Sequence, residues 1–163
     1  MKAKNWNVFG GFGLVPSLLF GVAMSLTPLP AADGPTSGSE KLVGTWFTQV
    51  SIRECKTGVV LRAFPAINTF NSGETMMDTT TGVSPSLRSP GQGKWEKTGL
   101  YAYSATSLSL LFSSTGAWTG TQKLTHAIAV NGDENAFTST VEIFDTSGIV
   151  ISTGCATAVG HRL

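Results

Sequence analysis

Polar and apolar positions alternate along most of the chain from residue 42 onward, the mark of strands with one buried face. Over 42–55, Leu42, Gly44, Trp46, Val50 and Ile52 share a face. Over 117–130, Trp118, Leu124, Ile128 and Val130 share one with Gln122 and His126, opposite Thr119, Thr121, Lys123 and Thr125. Phe137, Val141 and Ile143 oppose Thr138, Thr140 and Glu142, and Ile149, Ile151, Cys155 and Val159 align near the C-terminus. Two places are less regular. Arg62 has the opposite parity to Val59, Leu61 and Ile67, which puts it on a solvated face. Tyr101 and Tyr103 oppose Leu108, Leu110 and Phe112 in parity, which a bulge between Ser104 and Ser107 would reconcile.

Turn signals punctuate these runs at Lys56-Thr57-Gly58, Asn71-Ser72-Gly73, Thr98-Gly99, Ser114-Thr115-Gly116, Asn131-Gly132-Asp133 and Thr146-Ser147-Gly148. They leave eight strand-like segments, roughly 42–55, 59–70, 74–80, 93–98, 100–113, 117–130, 134–145 and 149–160. The pattern predicts an all-β domain, a single eight-stranded antiparallel up-and-down barrel. Short connections make sequence neighbours antiparallel, and rolling the sheet up removes the two long edges it would otherwise expose. The interior of such a barrel is either filled by side chains or just large enough for one small ligand. The connection 81–93 breaks the rhythm. It is long, with two prolines and three glycines, and is a candidate lid.

Composition agrees with a sheet. Charged residues are only 13% of the 163, about half the usual share, and the Glu/Lys/Ala/Leu runs of a helical bundle are absent. Before the barrel, Lys2 and Lys4 precede an uncharged run from Val8 to Leu26 and then Pro28-Leu29-Pro30-Ala31-Ala32. That layout assigns 1–32 to a signal peptide, 33–41 to a flexible linker and 42–163 to the barrel of an exported protein; a membrane anchor is the other reading of the run. Cleavage would remove Lys2 and Lys4 and leave nine Lys/Arg against ten Asp/Glu, with no membrane span. So balanced a chain has no basic patch for nucleic acid and no polybasic membrane surface.

The only two cysteines, Cys55 and Cys155, are most simply a disulfide in an exported chain. In a closed meander the first and last strands pair, which brings the two within reach. Two cysteines and two histidines without close ligand spacing do not make a metal site, and no cofactor motif is present. His126 is the titratable residue of most interest: a general base, or a core histidine satisfied by a neighbour such as Gln122. Arg88 either holds a ligand carboxylate at the barrel mouth or clamps its own loop through carbonyls. With Trp118 and Tyr103 these residues, His126, Gln122 and Arg88, form the candidate ligand-binding set. No nucleophile motif or phosphate loop accompanies them.

Gly44-Thr45-Trp46 at the head of the first strand resembles the Gly-x-Trp that opens lipocalin and other calycin barrels. That resemblance implies structural roles for Gly44 and Trp46, and an arginine from the last strand, here Arg162, packed on the tryptophan. The calycin C-terminal helix has no counterpart before Leu163, which leaves open the allene-oxide-cyclase-like and dirigent-like barrels, similar in size and strand count. More of the chain, about 42–163, resembles a set of uncharacterised exported bacterial proteins. The stretches concerned are Gly44-Thr45-Trp46, Ser84 to Gly91 with Trp95, Gly120-Thr121-Gln122 and Thr153-Gly154-Cys155-Ala156.

Three functions fit these observations: a module binding one small apolar or amphipathic molecule, a cyclase or isomerase shaping a flexible apolar substrate, and a structural protein with a filled core. Trp46 closing one end places any pocket at the other.

Overall fold

The computed structural model describes residues 41–163, and all structural statements below concern them. The expected signal peptide (1–32) and nearly all of the expected linker lie outside the described residues. Eight strands follow in order: β1 (Gly44–Arg53), β2 (Val60–Phe70), β3 (Thr75–Thr80), β4 (Gly91–Lys97), β5 (Ala102–Phe112), β6 (Trp118–Asn131), β7 (Glu134–Phe144) and β8 (Val150–Arg162). Each pairs antiparallel with its sequence neighbours, and β1 pairs with β8, so the sheet closes into an up-and-down barrel. Every strand finds both partners inside this unit, which also holds its own core and disulfide. The chain from Asp33 onward is a compact unit by itself.

The seam between β1 and β8 runs from Trp46 opposite Arg162 to Arg53 opposite Cys155. Cys55 and Cys155 form a disulfide across its upper end, with Cα atoms 5.3 Å apart. At the lower end the Arg162 guanidinium lies 4.2 Å over the Trp46 ring and donates to the carbonyls of Lys41 and Val43 and to Asp133 Oδ1. Gly44, at φ 134°, leaves the room this requires: a Cβ there would lie 2.6 Å from Arg162 Nη1.

Up-and-down order puts the connections 71–74, 98–101 and 132–133 at the Trp46 end, and 54–59, 81–90, 113–117 and 145–149 at the other, the mouth. The Trp46 end is packed solid. Leu42, Trp46, Phe70, Met76, Trp95, Tyr103, Ile128, Val130 and Phe137 form one buried cluster, with Phe70 edge-on to both Trp95 and Phe137. Trp46 Nε1 donates to the Leu42 carbonyl at 2.9 Å, so the ring's polar edge is satisfied within the floor.

The alternation identifies the inner faces of β1, β6 and β7, leaves that of β5 open and mistakes those of β2 and β8. On β8 the inward residues are Gly154, Ala156, Ala158 and Gly160, kept small because Phe137 and its neighbours already fill that side, while Ile149, Ile151 and Val159 are exposed. On β5, Tyr103, Ala105, Ser107 and Ser109 point inward in unbroken register with β6, and Leu108 and Leu110 point out. The irregularity lies instead at Leu111/Phe112, not at 104–107. On β2, Phe64, Ala66 and Asn68 face inward, and Arg62 shares their parity at the mouth; Leu61 and Ile67 are the outer residues.

Candidate functional site

Above the aromatic floor the interior turns polar. Asp78 on β3 is buried and accepts from Arg88 Nη2 and Ser107 Oγ at 2.6 and 2.7 Å. Arg88 comes from the 81–90 connection, which lies along β5: Ser89 N–H donates to the Leu110 carbonyl and Phe112 N–H to that of Leu87. This contact turns the Arg88 side chain into the barrel, where Nε donates to Gln122 Oε1 at 2.6 Å and Nη1 to its neighbour's carbonyl on Ser89. Gly91 makes the arrangement possible, since a Cβ there would stand 1.9 Å from Asp78 Oδ2. The pair is charge-balanced and fully hydrogen-bonded, the condition under which a buried ion pair is tolerated.

His126 on β6 is 6% exposed and faces Ser139 on β7, with Nδ1 and Oγ 2.7 Å apart. Its Nε2 is buried with no hydrogen-bond partner. Burial pushes its pKa from 6.5 down to about 4, against the opposing pull of the Asp78 charge. The ring is therefore neutral at physiological pH, with one nitrogen anchored and the other buried without a partner.

That interior is a cavity of about 200 Å³ in the mouth half of the barrel. Val50, Ile52, Phe64, Leu124, Val141 and Ala156 make its apolar wall, and Asp78, Arg88, Gln122, His126 and Ser139 its polar side. Ile52, Arg62, Gly82 and Val83 carry it to the rim. A larger concavity of about 510 Å³ lies on the outer wall around Phe47, Ala136 and Val159, but it is an open groove across the strands.

Of the five candidate ligand residues, three meet here. His126, Gln122 and Arg88 all line the cavity, although Arg88 already has its fork filled by Asp78 and Gln122 and acts as the clamp of its loop. Ser139, not Gln122, anchors His126. The other two do not line it. Trp118 pairs with Phe112 across the bulge that separates Leu111–Gly120 from Phe112–Trp118; this shift turns it outward, and it is 49% exposed. Tyr103 is buried in the floor, edge-on to Trp95 with ring centroids 5.8 Å apart. Sequence reasoning put Asp78 on one face of the third strand with Glu74 and Met76, and missed Ser107 and Ser139 as interior polar groups. The parity of the two serines with Tyr103 and Phe137 was the available signal. No group of His, Cys, Asp and Glu suited to a metal occurs among the described residues.

No family model matches the chain, and neither does any curated protein or solved structure.

Proposed function

We propose that this barrel is an exported binding module that holds one compact, largely apolar molecule in its mouth-half cavity and meets a neutral polar group of that molecule with His126 Nε2. The observation that supports the proposal is an apolar-walled cavity lined by His126, a residue whose buried Nε2 has no hydrogen-bond partner in the chain. Buried polar groups are otherwise almost always paired, and a ligand oxygen supplies what the chain does not. The Asp78–Arg88 pair neutralises itself, so the deep part of the cavity favours a neutral group over an ion. Size sets the scale. An apolar cavity of about 150 Å³ accommodates benzene, so this one suits a molecule modestly larger. The disulfide fits an oxidising compartment.

Native mass spectrometry and displacement of a fluorescent probe by matched small alcohols, ketones and hydrocarbons test this reading. The oxygenated member of each pair should bind more tightly by about threefold to tenfold, the worth of one hydrogen bond, and His126→Leu should abolish that preference while sparing the hydrocarbon. Absence of binding across the panel would overturn it.

A second reading, a cyclase or isomerase, has one observation in its favour. Ser139 fixes the imidazole while Nε2 stays free, the geometry of an oriented general base. It requires that a bound compound be converted to product, and that His126→Ala stop conversion with the barrel intact by circular dichroism.

A further inference from the structure

The mouth exposes an unusual amount of large apolar side chain. Val59, Val60 and Leu61 leave the 54–59 turn, Ile149, Val150 and Ile151 leave the 145–149 turn, and Trp118 stands where β6 leaves the 113–117 turn. All seven are between 43% and 64% exposed. At the opposite end the comparable residues are Leu100, Tyr101 and the terminal Leu163. The two aliphatic triplets stand on hairpins that the Cys55–Cys155 disulfide holds side by side. Exposed apolar residues are ordinary singly and informative when gathered.

The charges at this end have a sign. Glu54 and Asp145 accept from N–H groups of their own turns and keep their charge, and Arg53, Lys56 and Arg62 stand against these two, a surplus of one positive charge. Lys56 and Arg62 are exposed and have no ion-pair partner among the described residues. Aliphatic tips interleaved with cations that form no ion pair, and a tryptophan whose ring has one apolar and one polar edge, match the boundary between acyl chains and anionic headgroups. The long stems of Lys56 and Arg62 allow their charges to reach headgroups while the tips enter. The same rim surrounds the cavity opening at Ile52, Arg62 and Val83.

We propose that the mouth rim is a docking surface for an anionic lipid bilayer, with the 54–61 and 145–151 hairpins and Trp118 inserted shallowly. This goes beyond ligand binding and does not depend on it.

The test uses the self-contained unit from Asp33 onward, so that the apolar N-terminal run does not contribute. Vesicles of phosphatidylcholine alone and of equal parts phosphatidylcholine and phosphatidylglycerol are pelleted with the protein. Co-sedimentation with the mixed vesicles is expected, with a blue shift of tryptophan emission that Trp118→Phe removes, because Trp46 and Trp95 are already buried. The triple variant Leu61→Ser, Ile149→Ser, Ile151→Ser should lower partitioning by roughly tenfold or more. Lys56→Gln with Arg62→Gln should weaken binding to the mixed vesicles and leave the neutral ones unchanged. Circular dichroism confirms that each variant keeps the barrel. No co-sedimentation of the parent, or partitioning indifferent to the triple variant, would overturn the proposal. So would a dimer, seen by analytical ultracentrifugation without vesicle binding and dissociated by the same substitutions. Ala158→Phe, which blocks the cavity, should leave vesicle binding intact, so failure of the ligand reading and failure of this one are separable.

Discussion

At the scale of single residues, His126 decides most. Its pKa is lowered to about 4 in the fold against 6.5 in an unfolded chain. The sign follows directly. Above pH 6.5 neither state is protonated and the residue contributes nothing to the pH dependence. As pH falls from 6.5 toward 4 the unfolded chain takes up a proton that the folded chain refuses, so stability is lost through that window, by a few kcal/mol at most. The charged groups facing it inside the barrel are Asp78 and Arg88. His126→Leu is expected to flatten the loss of stability between pH 6.5 and 4, measured as urea midpoints across that range; an unchanged slope would show that other groups govern it. Asp78 makes a sharper demand. Asp78→Asn leaves Arg88 buried without its counter-charge and should cost roughly 3–5 kcal/mol in urea unfolding. The inward parity of His126 and Gln122 was legible because β6 alternates cleanly in the region concerned. Trp118 misled because the bulge at Leu111/Phe112 falls between it and Gln122, and nothing in the alternation marks that shift.

At the scale of elements, the strands and their ends were legible because glycine turns bound them, and each observed strand lies within about two residues of its expected limits. The inner faces of β5 and β8 were not. Apart from Tyr103 their inward positions are Ser, Ala and Gly, and the large aliphatics point outward, so a rule that turns apolar residues inward chooses the wrong face. Those small residues are the counterpart of large ones elsewhere: Trp46, Trp95 and Phe137 occupy the space that bulky β5 and β8 side chains would need. The seam depends on the disulfide, which closes a loop of 100 residues. Cys55→Ser with Cys155→Ser should lower unfolding free energy by about 2–5 kcal/mol, read from guanidinium denaturation. It should also expose the mouth end of β1 and β8 to amide exchange before the Trp46 end, since the Arg162 clamp remains. Exchange that rises equally at both ends would contradict this division of labour.

At the scale of the whole molecule, the barrel is asymmetric along its axis. The Trp46 end is packed with aromatics, the middle carries a satisfied polar pair, and the mouth half keeps a cavity lined by His126, whose Nε2 has no partner. An empty space and an orphaned polar atom both cost stability. Stabilising substitutions at such places are easy to find, so filling the space separates a scaffold from a binding module by experiment. Ala156→Leu combined with His126→Leu puts this to the test: it fills the apolar side of the cavity and removes the orphan. If the cavity is kept for a ligand, the double variant should unfold at a higher urea concentration than the parent, by about 1–2 kcal/mol, and should no longer bind small apolar probes. The parent in turn should gain thermal stability with probe concentration as mass action requires, and the variant should gain none. A variant that is less stable than the parent would mean that the space is not free to be filled and that the polar side of the cavity serves the fold instead.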